Sequence, residues 1–517
     1  MLSVILTLSL CSLCLPDLPV PPLQAQGDTA SVVGIWQGSL EVPPGTRIPL
    51  VFHVKPAPDG GLAATMDSPL QGAMGIPVPV VRWDGTTLRL ELPALGAVFE
   101  GARPAGEDLP GTRPETLSGT WQQGALTFPL LLTRSDQAPS LSRPQHPARP
   151  FPYREEEVRF RNDGAGIDLA GTLTLPPAPT PVVAQPGDSA RTGPGFPAAI
   201  LLTGSGPQDR DETILGHKPF LVLSDHLTRQ GVAVLRFDDR GVGASGGDFA
   251  AATSLDFAGD AAAALAWLRA HPEINADAIG FVGHSEGGLL ITLLEGEESP
   301  GGQVPADPFA FAVFLGAPAL PGGEILLLQA EAIARASGAR EDQVELLLQF
   351  QDRMQEVIRD EADPERRLER LEAVLRMSLD EMDPADRTAQ GIPPGQEDAW
   401  VEAQLAAIAS DWFRTFVIYD PRPALRATTM PVLALFGELD LQVPPAENAS
   451  EMRAALEAAR NPDVTIHIFP SLNHLFQTAE TGSPAEYAIL EETLAPAALE
   501  RISGWILERF GPGTRGR

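Results

Sequence analysis

The chain is nearly devoid of cysteine and lysine. Of its 517 residues two are cysteines, Cys11 and Cys14, and both lie in the first apolar stretch. With that stretch removed, the remainder can form neither a disulfide nor a thiolate metal site, so its stability must come from packing. Lysine occurs only at Lys55 and Lys218, arginine supplies nearly all the positive charge, and the net charge is −31. An excess of that sign repels nucleic acid and anionic membrane surfaces, so neither is expected as a partner. The apolar run from Met1 to Leu15 is too short to span a bilayer. The eight histidines are scattered and no H-E-x-x-H occurs, so no metal is expected. "GVGASGG" (241–247) follows a strand pattern and has the G-x-G-x-x-G spacing, but it lacks the later acidic residue that a dinucleotide loop needs. No cofactor is implied.

What is present divides the chain. Its length calls for two or three domains. Residues 1–26 read as a secretory signal peptide with a cleavage site after Ala25, although a basic start is missing. A lipoprotein signal fits less well, because "LSLC" places Leu before the cysteine where a small residue is wanted. The expected location is therefore periplasmic or extracellular. Residues 27–134 hold short alternating runs separated by Gly, Pro and Asp turns, the pattern of a small β-barrel or sandwich. "GIWQG" (34–38) returns as "GTWQQG" (119–124), which predicts that the first and last strands are neighbours. His53 reads as an ordinary strand residue. The Pro-, Ser- and Arg-rich stretch 135–153 reads as a linker. Two strands then open a second domain, and 176–197 reads as a flexible surface loop.

From residue 198 onward strands and helices alternate, which predicts a mostly parallel sheet with helices on both faces. The core is expected over 154–321 and 421–517. Between these parts, 322–420 carries about four amphipathic helices and no strand, as a lid or cap over a pocket would.

Chemistry concentrates in "GHSEG" (283–287), a G-x-S-x-G at the end of an apolar strand and the start of a helix. That context is what a nucleophile elbow requires, with Ser285 raised on a strained turn and glycines giving room on both sides. A serine hydroxyl needs a base, and the base an orienting acid. Two later strand ends supply them in the expected order: Asp440 in "FGELDLQVPP" and His474 in "PSLNHLF". Glu438 is a weaker choice of acid, and His467 sits inside its strand. Main-chain N–H donors for an oxyanion are expected from Glu286 and from Ser205 or Gly206 in "TGSGPQDRDE". Asp209 and Arg210, with Asp211 and Glu212, are candidates to line the entrance; Trp412 and Phe413, near Phe416, are candidate acyl-pocket residues. Asp238, Asp239 and Arg240 read as an internal ion-pair and turn network, and His217 has no assigned partner.

"LLTGSGPQDRDE", "LRFDDRGVGASGG", "VGHSEGG", "FGELDLQVPP" and "NHLFQ" occur in this order. The chain thereby resembles the α/β-hydrolase superfamily over about 150–510, in particular exported bacterial carboxylesterases related to serine aminopeptidases, in which a β domain often precedes the hydrolase. The resemblance implies an α/β-hydrolase fold with a helical cap, Ser285 as nucleophile, Asp440 as acid and His474 as base. Thr203 stands where many lipases of this fold have the histidine of "HGG". The expected activity is hydrolysis of small-molecule carboxylic esters with short to medium acyl chains. A serine aminopeptidase or amidase using the same triad is the alternative, and a non-catalytic binding protein a more distant one. Natural substrate, oligomeric state and the role of the β domain are not written in these motifs.

Overall fold

A computed structural model describes residues 29–42, 46–57, 60–68, 73–104, 113–123, 126–136, 142–177, 195–295, 308–383, 387, 392 and 395–511. The expected signal segment, both cysteines and most of the 176–197 loop lie outside the described residues. The chain divides into two compact units, one reaching Ser142 and one running from Arg143 onward without residues 214–216.

The first unit is a single antiparallel sheet of nine strands, β1 (Gly34–Val42) through β9 (Leu126–Ser135), in the order β4-β3-β2-β1-β9-β8-β7-β6-β5. As the repeated Gly-x-Trp predicts, β1 pairs with β9, Ile35 opposite Ser135. Alternation sends Trp36, Phe52, Phe99 and Trp121 into one core, all 2 % exposed or less.

The second unit is built on an eight-stranded sheet of order β10-β11-β13-β12-β14-β15-β16-β17. The strands are β10 (Arg154–Asn162), β11 (Ile167–Leu175), β12 (Phe196–Leu202), β13 (Ala233–Phe237), β14 (Ile274–His284), β15 (Ala312–Leu315), β16 (Val432–Gly437) and β17 (Val464–Phe469). The first two are antiparallel additions at one edge; β13, β12 and β14 through β17 are parallel. Both faces are covered, so β12, β15 and β16 are apolar at every position. In β12, Ala198, Ile200 and Leu202 face one core while Ala199 and Leu201 face the other. Helices α2 (Ser254–Arg269), α3 (Glu286–Glu295) and α10 (Pro445–Ala458) lie on the first face, α1 (Pro219–Gln230) and α11 (Pro496–Phe510) on the second. This is the α/β-hydrolase architecture the sequence predicts.

Helix ends follow local chemistry. Helix α1 stops at Gly231 (φ 106°), whose N–H returns to the Leu227 and Thr228 carbonyls. At the start of α2 the Asp256 carboxylate accepts the Thr253 N–H at 3.0 Å. The cap holds α4 (Gly322–Ala336), α5 (Glu341–Asp360), α6 (Pro364–Glu381), α7 (Glu397–Ile408) and α8 (Asp411–Ile418), and α9 (Arg422–Leu425) leads back to the sheet. The described residues thus hold five cap helices rather than four. The short α8, too brief for periodicity to show it, is nucleated by Ser410, whose hydroxyl accepts the Phe413 N–H at 3.1 Å. Among the described residues no helix is long and apolar enough to cross a membrane.

Part of the stretch read as a linker is bonded to the unit that follows it. From Arg143 it is strapped to the hydrolase unit: Arg143 donates to the Ala488 and Leu490 carbonyls at 2.8 and 2.9 Å. Gln145 donates to the Leu494 carbonyl at 2.6 Å and accepts the Thr493 and Leu494 N–H groups at 2.5 and 3.0 Å. Composition misleads here because an irregular segment needs side chains, not a ladder, to satisfy the loop it covers. Gln145→Ala should lower the unfolding free energy of the full chain by about 1–3 kcal/mol, read as a shift in denaturant midpoint at unchanged m-value.

Candidate active site

The C-terminal ends of four parallel strands stand in one row: His284 is opposite Leu315, Leu315 opposite Leu435, and Leu435 opposite His467. The residues just beyond this row carry the chemistry. Ser285 joins β14 to α3 at φ 51°, a left-handed conformation that an L side chain adopts only under constraint. Its N–H donates to the Leu315 carbonyl at 2.9 Å. The flanking glycines are steric necessities. A methyl group at Gly283 would stand 2.3 Å from the Gly287 carbonyl oxygen, and one at Gly287 would stand 2.1 Å from the Leu202 carbonyl oxygen. At Gly288 it would meet the Ala317 methyl at 2.3 Å.

Beyond β16, the buried Asp440 carboxylate is oriented by the Gln442 and Val443 N–H groups, both 2.8 Å from Oδ1. Its Oδ2 accepts from His474 Nδ1 at 2.8 Å. An ionised carboxylate is acceptor-only, so the proton between them belongs to Nδ1 and the lone pair to Nε2. Asp440 and His474 are 2 % and 3 % exposed. Gly316, whose predecessor holds the Ser285 N–H, faces this pair: a methyl there would be 3.2 Å from Asp440 Oδ2 and 3.3 Å from His474 Nδ1. The structure thus brings Ser285, His474 and Asp440 to one rim. Glu438 instead accepts the Ser471 N–H at 3.0 Å as a turn clasp, and His467 packs edge-on to Phe469 within β17.

Beneath the serine lies a buried pair that sequence reasoning passed over. His284 Nδ1 is 2.9 Å from Glu212 Oε1 and its Nε2 is 3.1 Å from the His474 carbonyl oxygen. Both neighbours are acceptors, so the imidazole donates from both nitrogens and carries a charge. Burial opposes that charge, but the Glu212 carboxylate overcomes it and holds the His284 pKa above its ordinary value. Glu212 Oε1 also accepts the Gly204 N–H at 2.8 Å, which joins the loop of His474, through His284, to the loop carrying Ser205. A sequence signal did exist: two more titratable residues stand at motif positions, the histidine before the serine and the last acid of "DRDE".

The 203–208 loop is clasped from below by Asp239, which accepts Thr203 Oγ1 at 3.0 Å and the Gln208 N–H at 2.9 Å. Burial pushes this carboxyl well above the usual carboxylate range. Gly206 has φ 98°, and among the described residues neither the Ser205 nor the Gly206 N–H has an acceptor. Those amides, with that of Glu286 at the N-terminus of α3, remain the candidate oxyanion donors.

Asp209 and Arg210 are both engaged by the protein's own groups. Asp209 accepts the Asp211 and Thr213 N–H groups, both at 3.0 Å, and shapes its own turn. Arg210 forks onto Asp238 (Nε–Oδ1 3.0 Å, Nη2–Oδ2 2.8 Å) and reaches Glu157 at 2.6 Å. Asp238 and Arg240 behave as the predicted internal network, Arg240 gripping Asp260 at 2.7 and 2.9 Å. His217 does have partners: Thr493 Oγ1 at 2.9 Å, the Tyr487 carbonyl at 2.9 Å and Gln477 at 3.0 Å. Burial lowers its pKa to about 4. In the cap, Trp412 Nε1 donates to Glu286 Oε1 at 2.8 Å, so Trp412 reaches the elbow, whereas Phe413 packs against the main core. Among the described residues no group of three or more His, Cys, Asp or Glu side chains is arranged to hold a metal ion.

Comparison with known proteins adds four likenesses. The family model described as X-Pro dipeptidyl-peptidase (S15 family) matches residues 113–412, a span that includes Ser285 and ends before Asp440 and His474. Esterase EstD of Thermotoga maritima is 24 % identical over 357 residues, 69 % of either chain. Among solved structures, an esterase of Pyrococcus furiosus is 14 % identical with a TM-score of 0.40, covering 72 % of this chain and 99 % of its own. The esterase Est2 of Thermogutta terrifontis with bound butyrate is 16 % identical with a TM-score of 0.37, covering 70 % and 96 %.

Because the His284 pKa is raised on folding, its pairing with Glu212 stabilises fully below the ordinary histidine value of about 6.5 and is lost as pH rises through the higher folded value. The unfolding free energy of the parent minus that of Glu212→Gln should therefore shrink as pH rises from 6 to 9. Denaturation curves across that range check it, and a difference that grows with pH contradicts the charge assignment.

Proposed function

Because the chain belongs to the X-Pro dipeptidyl-peptidase (S15) family and is a serine hydrolase of the α/β-hydrolase type, we propose that Ser285, His474 and Asp440 form a catalytic triad that cleaves carboxylic esters of short to medium acyl chains. His474 Nε2 takes the Ser285 proton as Oγ attacks the carbonyl carbon. The negative oxygen of the tetrahedral intermediate rests on the main-chain N–H groups of Glu286 and Ser205. As the intermediate collapses, the alcohol leaves with the proton from His474 and Ser285 is acylated. Water, deprotonated by the same imidazole, then releases the acid and restores the serine.

The observation that carries this reading is the 2.8 Å Asp440–His474 bond beside a serine held at φ 51°. Asp440 fixes the tautomer that leaves Nε2 basic and stabilises the imidazolium as it forms, without itself taking the proton. The strained elbow lifts the hydroxyl clear of the strand ends. Ester cleavage is favoured by the likeness to Esterase EstD over 69 % of the chain. The second reading, removal of a dipeptide from an X-Pro amide, is favoured by the family match itself. Ester and amide cleavage use one triad, so the geometry serves both.

Two substrate series separate them: p-nitrophenyl esters from acetate to octanoate, and X-Pro p-nitroanilides. The esters should be turned over with the larger kcat/KM. Ser285→Ala should lose at least about a thousandfold in kcat and all labelling by a fluorophosphonate. Full activity in a cleanly purified Ser285→Ala preparation rejects the triad.

A further inference from the structure

The residue after an elbow serine is expected to act through its main-chain N–H. Here its side chain is also engaged. Glu286 is 3 % exposed, and its Oε1 accepts Ser254 Oγ at 2.6 Å and Trp412 Nε1 at 2.8 Å. The Ser205 side chain stands beside the same carboxyl and lowers its pKa. The three partners come from three separate segments: Ser254 opens α2, Trp412 sits in cap helix α8, and Ser205 belongs to the 203–208 loop. Two members of this cluster, Glu286 and Ser205, carry the amides assigned above as oxyanion donors.

We propose that the Glu286 carboxyl is a positioning residue for the oxyanion hole, holding the Ser205 donor in place and making that placement depend on the seating of Trp412 from the cap. Two donors on one oxygen fix the plane of a carboxyl, and the plane fixes where its contact with Ser205 points. If Trp412 withdraws, Ser254 alone does not define that plane, and the Ser205 segment is free to shift. Donor positions matter on the scale of tenths of an ångström, because the donors must meet the oxyanion rather than the ground-state carbonyl. Burial raises the Glu286 pKa while Ser254, Trp412 and Ser205 pull it back; the net rise limits negative charge beside the developing oxyanion. Clasped by Asp239 below and Glu212 behind, the loop carrying Ser205 has its remaining freedom on the side where Glu286 stands.

The inference rests on the triad reading above, and its test separates the two. Trp412→Phe removes one N–H and keeps a ring to stack on Phe416, 5.8 Å away between centroids. Ser205→Ala removes the hydroxyl and keeps the main-chain donor. Each should lower kcat about tenfold, a fraction of the loss for deleting a donor outright, with KM within about twofold for every ester from acetate to octanoate. The double variant should be no worse than either single, since both break one relay. A trifluoromethyl ketone should bind each variant more weakly by the same factor as kcat falls. Glu286→Gln, which keeps an acceptor for Trp412 and offers an N–H to Ser205, should retain most of the parent kcat, whereas Glu286→Ala should not. A loss that appears in KM and grows with acyl length would instead make Trp412 a pocket wall, and additive losses or unchanged kinetics would equally overturn the relay. Should Ser285→Ala be inactive while Trp412→Phe matches the parent, this inference alone fails; should Ser285→Ala remain active, the triad fails first.

Discussion

A serine with a left-handed backbone is held there by absent side chains. At 283, 287 and 288 a single added methyl would come within 2.1 to 2.3 Å of a carbonyl oxygen or another methyl, far inside van der Waals contact. The elbow therefore exists only if β12, β14 and α3 approach to backbone distance, and they approach only if those positions are glycine. The strain at Ser285, of order 1–3 kcal/mol for such a residue, is outweighed by the two apolar cores that clamp the junction. Leu201, Val282 and Leu315 lie on one face and Leu202, Leu289 and Ala317 on the other. Fully burying a single leucine or isoleucine contributes about 1.5–3 kcal/mol, so a few such residues suffice to hold it.

The next constraint is electrical. Lysine is almost absent and the chain is strongly acidic, yet the floor of the candidate site is made of carboxyls: Glu212, Glu286 and Asp440 are buried, Asp239 is partly so, and all are held by donors. Each solves the burial problem differently. Asp440 is satisfied by two amides and an imidazole, Glu212 by an amide and an imidazolium. Asp239 and Glu286 are pushed toward the neutral form by burial. Carboxyls suit this role because one group can accept from several loops at once. The loops that must stay still, 203–208 and 473–474, are thus fixed by side chains where no sheet ladder can reach them.

This division explains what could be read from the sequence. The six parallel strands, the elbow and the order serine, acid, histidine are visible because periodicity and glycine spacing are local signals. The buried links are not local. Arg210 looks like an exposed charge beside a loop until β10, β11 and β13 bring Glu157, Thr172 and Asp238 around it. His217 looks partnerless because its partners lie some 260 to 276 positions away. Gln145 sits in a stretch whose composition says linker, while its contacts lie near residue 494. In each case the side chain's chemistry was legible and its neighbour was not.

The cap shows how a large insertion is tolerated by such a precise frame. Its two ends meet: the Gly322 N–H reaches the Tyr419 carbonyl at 3.4 Å, and a methyl on Gly322 would stand 2.0 Å from the Phe416 carbonyl oxygen. Because entry and exit coincide, β15 and β16 pair in register as though no residues lay between them, Ala312 opposite Val432. The root is further tied by Gln355 to the Gly323 carbonyl at 2.9 Å and by Tyr419 to Thr292 at 3.1 Å. Sequence change in α6 and α7, and in α5 away from Gln355, therefore leaves this root in place. Change at α8 does not, because that helix carries both a root residue, Phe416, and the indole that touches Glu286. Remodelling of the outer helices leaves Trp412 in place, but any change that moves Trp412 must also answer to the turn that holds Ser285.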